Sequence, residues 1–307
     1  MTDWTTEISA AADRIEGHVR RTAVARLDLG GLDRALEVKL EFTQHTGSFK
    51  ARGAFNTLLE GDVPAGGVVA ASGGNHGAAV AFAAARLGIP ARIFVPEMAG
   101  PSKIALIERT GADLTVVPGA YADALAAALD YEAATGAMQV HAYDAPGTVA
   151  GQGTCMKEWE EQGLEADTVL IAVGGGGLIG GAIAWAGKRR KIVAVEPETS
   201  CALHAALEAG KPIDVEVSGI AANSLGARKI GQICFDLAQE AGTPSILVSN
   251  EAIAKAQQTL WREARMLVEP GGACALAALL SGAYRPEPGE RVAVLLCGAN
   301  IAPDPLS

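Results

Sequence analysis

The chain reads as an α/β protein whose mainly parallel, twisted sheets are flanked by helices and divided between two domains. Three observations predict this. Short apolar stretches alternate with helical ones from residue 68 to residue 141, the same alternation resumes after residue 150, and runs of glycine sit at strand-to-helix junctions, as parallel βαβ units require. With 307 residues, 49% of them hydrophobic and 20% charged, the chain can bury the core of more than one domain.

Residues 7–20 set Ile8, Ala11, Ala12, Ile15 and Val19 at helical spacing, which predicts an amphipathic opening helix. The alternating run 35–40 predicts a strand. Residues 54–59 predict a helix, with Ser48 as a candidate cap ahead of it. Then follow strand 68–71, helix 77–87, strand 91–95, helix 102–109, strand 114–117, helix 121–135 and strand 138–141. The pattern resumes with helix 151–161, strand 168–173, a helix from Leu178 and strand 192–195. Residues 212–225 carry few periodic apolar positions and read as a surface loop. Helices are expected over 228–239 and over 250–265, the second capped by Asn250, and after Pro270. A buried strand at 292–296 closes the chain.

No repeat or linker run separates the parts, so topology has to set the boundary. Residues 68–141 are expected to form a small domain inserted into a larger one made of residues 1–60 and 144–307. Ligands in such sheets bind in a crevice at the carboxyl ends of strands. An inserted domain would place that crevice between the two.

Lys+Arg number 25 against Asp+Glu 35, a net charge of −10, which argues against electrostatic binding to nucleic acid or an anionic membrane. The 5 cysteines stand singly with no CxxC pair. That pattern suggests neither a zinc site nor a disulfide framework and suits a reducing cytoplasm. No signal peptide and no membrane-spanning run is read.

The chemistry is organised around Gly47, Ser48, Phe49 and Lys50. A lysine at a strand-to-helix junction reaches a short way into a cleft, and loss of water there favours its neutral amine, the state a Schiff-base lysine needs. The same residue also reads as an ordinary helix-entry lysine. Ser72, Gly73, Gly74, Asn75 and His76 lie between a strand and a helix, where backbone N–H groups, the helix start and two polar side chains suit a carboxylate. Gly174, Gly175, Gly176 and Gly177 leave no side chain between their amides and a tetrahedral anion, so phosphate is the expected guest. Gly175, Gly177 and Gly180 also satisfy GxGxxG, with Glu196 placed for a ribose hydroxyl, so a nicotinamide-dependent dehydrogenase is an alternative of another class. No Gly-Lys-Ser/Thr follows, which removes a P-loop. Glu269, before Pro270 and two glycines, reads also as a helix-entry acid, and Cys297 as a small buried residue.

Taken together and in order, GSFKARGA, ASGGNHG, AGQGT, VGGGGL, EPGG and CGAN resemble the pyridoxal-phosphate enzymes of fold type II, which share the tryptophan synthase β-like fold. The match is to the serine/threonine dehydratase and serine racemase branch and spans nearly the whole chain. The resemblance implies that Lys50 carries pyridoxal 5′-phosphate, Phe49 packs beside its ring and Asn75 bonds the ring hydroxyl. Gly174 to Gly177, with Leu178, would hold the phosphate, Glu269 would line the cofactor site, and Cys297 would face the ring nitrogen. The substrate carboxylate would lie on Ser72, Gly73, Gly74, Asn75 and His76. A homodimer is implied as well, and the expected activity is conversion of L-threonine or L-serine to a 2-oxo acid and ammonia.

Departures from the family pattern matter too. Racemase-type members carry a serine as second base where this chain has Gly73, which disfavours racemisation, although a racemase or another β-eliminating lyase is the in-family alternative. The divalent metal site of racemases uses a glutamate like Glu196 and an aspartate where this chain has Ala202, so no side-chain metal site is expected, while a monovalent cation held by backbone carbonyls would leave no readable signature. The usual Arg-Thr-Pro near the start is Arg21, Thr22, Ala23 here. No regulatory domain is expected beyond Ser307.

Overall fold

Asp3 opens the first helix by accepting a hydrogen bond from Thr6 N at 3.2 Å, and α1 (Trp4–Ile15) turns Ile8, Ala11 and Ile15 inward. The computed structural model of the chain describes residues 2–119 and 121–301. After α1, β1 (Val24–Leu27) and β2 (Leu36–Lys39) pair antiparallel, and α2 (Lys50–Glu60) follows two short turns. Then come β3 (Val68–Ala71), α3 (Asn75–Leu87), β4 (Ala91–Pro96), α4 (Pro101–Glu108), β5 (Asp113–Val117), α5 (Tyr121–Thr135) and β6 (Met138–Gln139). The remainder runs α6 (Pro146–Glu161), β7 (Thr168–Ala172), α7 (Gly177–Ala186), β8 (Lys191–Pro197), α8 (Ala202–Ala209) and α9 (Ala222–Leu225). It ends with α10 (Gln232–Ala241), β9 (Ser245–Val248), α11 (Asn250–Ala264), α12 (Pro270–Leu280) and β10 (Val292–Leu295).

The strands form two sheets. The six-stranded sheet has the order β1-β2-β10-β7-β8-β9, and the four-stranded sheet the order β5-β4-β3-β6. Every pairing is parallel except β1 with β2. Helices cover the central strands, so β3 and β7 are buried along their whole length and read as unbroken apolar runs. The larger core gathers the six-stranded sheet with α6, α7, α10, α11 and α12, and a second core joins α2 and α3 to the smaller sheet. Helix α2 packs on both α3 and α6, and so bridges the two.

Each sheet order reverses at one place. In the smaller sheet the chain leaves β3 for β4 on one side and returns as β6 on the other. In the larger, β7 leads to β8, while β10 enters on the opposite side. Ligands bind beyond strand carboxyl ends at such reversals. The chain there is Ser72 to His76 after β3, Gly174 to Gly177 after β7, and Cys297 after β10.

A buried charge cluster anchors α2. Arg52 donates to Glu41 through Nε at 2.6 Å and Nη2 at 3.0 Å, and from Nη2 to Glu158 at 2.9 Å. Lys39 Nζ reaches the other Glu158 oxygen at 2.5 Å. Burial opposes the Glu41 charge, but the Arg52 guanidinium outweighs it and holds the carboxyl below its ordinary value. The four charges cancel, which is the condition for keeping them out of water.

Several elements differ from expectation. Strands β1 and β9 were not anticipated. Both have four residues and neither alternates cleanly, because each is fixed by its neighbour in the sheet. Helix α8 is a further addition to the expected elements, and residues 222–225, expected as loop, form α9. Helix α2 starts at Lys50 rather than 54, and Ser48 does not cap it: its Oγ is buried without a partner. Helix α11 is capped by Ser249, which accepts from Ala252 N at 3.2 Å, whereas Asn250 Oδ1 accepts from Ile220 N at 3.2 Å. Helix α6 begins at Pro146, so AGQGT lies inside a helix, and α10 runs over Gln232–Ala241.

Candidate active site

The segment that delivers Lys50 is pinned to the end of β10. Phe49 N donates to Cys297 O at 3.2 Å, Ala299 N donates to Gly47 O at 2.9 Å, and Ser48 bridges Gly298. Lys50 then opens α2 with its ammonium donating to Ala142 O at 2.7 Å, 5.1 Å from the centroid of the Phe49 ring. Burial lowers its pKa to about 8, against the pull of Cys297 in the other direction. A lysine so placed supplies neutral amine near neutral pH.

The turn after β7 faces it. Gly176 holds φ at 97° immediately before α7, and a Cβ there would lie 2.5 Å from Cys234 Cβ. A Cβ on Gly175 would lie 2.2 Å from the Tyr143 ring, and one on Gly177 would be 3.1 Å from Tyr143 Cα. Close approach therefore requires glycine at 175 and 176, and at 176 the backbone angle does too; the turn leaves amides at a helix start, the arrangement that suits a phosphate.

One cavity brings together Phe49, Lys50, Asn75, the four glycines, Leu178, Glu269 and Cys297. Buried Cys297 has its thiol pushed well up, by burial first and then by the neighbouring Glu269, so it offers a neutral group. Asn75 Nδ2 donates to Glu269 Oε1 at 2.6 Å. A turn of amides with no room for a Cβ at Gly175 and Gly176, an amine-forming lysine and a neutral thiol in one cavity fit pyridoxal 5′-phosphate.

Ser72, Gly73, Gly74 and His76 do not line that cavity and lie beside it at the start of α3. Ser72 Oγ accepts from Gly74 N at 3.2 Å. The His76 ring is turned away to Val140 O at 2.8 Å. Burial, reinforced by the Lys50 charge, lowers its pKa to about 3, so it stays neutral and donates from Nε2. Only the backbone of His76 is left for an anion.

Sequence reasoning missed Ser224 and Leu225 in the cavity wall, and Tyr143 against the glycine turn; Gly271, of the EPGG motif, lines the wall too. Ser224 Oγ accepts from Gly271 N at 3.1 Å and so ties α9 to the start of α12. A loop reading of 212–225 gave no signal for this. Glu196, the acid of the dinucleotide alternative, is 0% exposed. Its oxygens accept from Leu203 N and His204 N at 2.8 Å each, and burial raises its pKa to about 7 against those bonds. It caps α8 and cannot reach a ribose, which contradicts the dehydrogenase alternative. No group of three His, Cys, Asp or Glu side chains among the described residues could hold a metal ion.

Comparison with known proteins agrees with this geometry. Residues 15–298 match the family described as pyridoxal-phosphate dependent enzyme. Phenylserine dehydratase of Ralstonia pickettii is 36% identical over 271 residues, covering 87% of this chain and 83% of its own. The biosynthetic L-threonine dehydratase of Escherichia coli is 37% identical over 276 residues, 88% of this chain; the chain spans only 54% of that relative's length. Among solved structures, maize serine racemase superposes with a TM-score of 0.93 at 30% identity, covering 98% of this chain and 95% of that one.

Proposed function

The chain belongs to the family of pyridoxal-phosphate-dependent enzymes, and we propose that it is a dehydratase that converts L-threonine, L-serine or both to a 2-oxo acid and ammonia. The observation that carries this reading is Lys50, with its pKa lowered to about 8, in one cavity with the glycine cradle.

When bound, pyridoxal 5′-phosphate supplies an electron sink that acidifies the α-hydrogen of an amino acid. The amides of Gly174 to Gly177 would hold its phosphate, and Phe49 and Asn75 would contact the rest of the group. Cys297, kept protonated by burial, would offer the ring nitrogen a neutral group. The start of α3, from Ser72 to His76, binds the substrate carboxylate. Lys50 Nζ would take the α-proton; the β-hydroxyl then leaves with one proton as water, and a second water releases ammonia, so the sum is amino acid to 2-oxo acid and ammonia. Inversion needs a second acid on the opposite side, and Gly73 supplies none.

Purified protein supplied with the cofactor and assayed on a panel of β-hydroxy amino acids for 2-oxo acid release tests the assignment. Release from L-threonine or L-serine is expected. D-serine accumulating from L-serine faster than 2-oxo acid would favour the racemase alternative, and no turnover of any β-hydroxy amino acid would overturn the reading.

We take residues 68–141, which contain all four strands of the second sheet, as the smaller domain. No helix among the described residues is long and apolar enough to cross a membrane. The five cysteines are free, which supports a reducing cytoplasmic setting. A homodimer is the assembly the family resemblance favours.

A further inference from the structure

Asn300 ends the CGAN motif, and nothing above gives it a role. Its Nδ2 donates to Thr46 O at 2.7 Å and to Asn75 Oδ1 at 2.7 Å, while Asn75 Nδ2 donates onward to Glu269 Oε1 at 2.6 Å. The two ends of this chain of bonds are a backbone carbonyl and a carboxylate, both acceptors, so the orientation of both amides is determined.

The corner that Asn300 grips is unusual. Thr46 has φ of 58°, a left-handed conformation rare for a β-branched residue, and Gly47 has φ of 74°. A Cβ on Gly47 would lie 2.6 Å from Asn300 Oδ1, so the glycine is required by the amide as well as by its own backbone. From this corner only Ser48, extended, and Phe49, already helical in its angles, lead to Lys50. Asn75, the other residue gripped, begins α3 beside the smaller sheet, whereas Glu269 and Asn300 flank the larger one. A single side chain thus joins the arm that carries Lys50 to the helix start assigned to the cofactor and the substrate carboxylate.

We propose that Asn300 is a positioning residue, which holds the Thr46–Gly47 corner and Asn75 in one register so that Lys50 and the start of α3 meet the same substrate. It does not line the cavity that holds Lys50 and the glycine turn. The inference rests on the assignment of Lys50 and Asn75 to the site.

The test uses Asn300→Asp, which keeps the shape and loses both donors, and Asn300→Ala, which removes the group without adding charge. Amide hydrogen exchange is read first on cofactor-free protein. In either variant the amides of Phe49 and Ala299, bonded to Cys297 O and Gly47 O, should exchange about tenfold faster, while those of β7 and β8 keep their wild-type protection. Faster exchange throughout the fold, or none at Phe49 and Ala299, overturns the proposal. With cofactor, kcat should fall about 10- to 100-fold while KM changes far less, since misplacement rather than lost binding is the defect. The double variant Asn75→Ala/Asn300→Ala should be no slower than the slower single one, because both break the same chain of bonds. Additive losses would mean that the two act separately and would overturn the coupling. Exchange is read without substrate, so its outcome is distinguishable from failure of the dehydratase assignment.

Discussion

Replacing Gly175 separates steric from electrostatic demands at the glycine turn. In Gly175→Ala the new Cβ would lie 2.2, 2.3 and 2.6 Å from three atoms of the Tyr143 ring, about 1 Å or more inside the ordinary carbon contact of about 3.5–4.0 Å. Either the ring or the turn must move. Overpacking of this kind costs about 1–3 kcal/mol, or roughly 5- to 150-fold in cofactor Kd where the turn is what yields. Gly175→Asp adds a carboxylate where the phosphate is assigned. Two unit charges about 5 Å apart at an effective dielectric of about 20 repel by about 3 kcal/mol, more than a further hundredfold. Equilibrium dialysis of pyridoxal 5′-phosphate against wild type, Gly175→Ala, Gly175→Asp and Gly175→Ala/Tyr143→Ala measures each part. The alanine variant should weaken binding, removal of the ring should restore much of it, and the aspartate variant should be worse than alanine by the charge contribution. An aspartate variant that binds as well as the alanine one would show that no anion sits over this turn, and the phosphate assignment would fall.

Lys50→Ala should abolish turnover and the yellow colour of the bound cofactor while leaving the unfolding transition near wild type; elimination at a rate close to wild type would refute its role. Because burial holds the Lys50 pKa at about 8 and only the neutral amine reacts, capture of the cofactor by cofactor-free protein should accelerate as pH rises through about 8 and level off above it. A stopped-flow absorbance series checks this, and a rate still climbing tenfold per unit above about pH 9.5 would mean the lysine is not desolvated. Arg52→Leu strands the carboxylate of Glu41, which is 0% exposed, and should cost about 3–5 kcal/mol, read as a lowered urea midpoint; an unchanged midpoint would contradict the buried pairing. Gly73→Ser will not install a second base, because its Cβ would lie 2.3 Å from Ala99 Cβ and 3.0 Å from Val95 Cγ1. The loop should be destabilised instead, with D-serine no more abundant by chiral chromatography than with wild type.

What the residues alone revealed about this protein is what depends on short stretches of chain. Gly174 to Gly177 announce a bare turn of amides because four residues without side chains permit little else, and Lys50 and the Ser72–Asn75 loop are legible because strand, turn and helix start are contiguous. The alternation of β7, α7 and β8 is equally local, and it determines a parallel sheet. Tertiary structure alone decided the rest. Tyr143 lies 32 positions before Gly175, and nothing in either neighbourhood says that a ring fills the space a Cβ would take. Strands β1 and β9 are strands because β2 and β8 offer them partners. Lys39, Glu41, Arg52 and Glu158 look like solvated charges until α2, β2 and α6 close around them. Glu196 fits a dinucleotide pattern by spacing, yet the amides of α8 claim both its oxygens. In each case the deciding energy, steric exclusion, ladder pairing, charge neutralisation in a dry interior or capping of a helix end, acts between segments distant in the chain, so no window of sequence contains it.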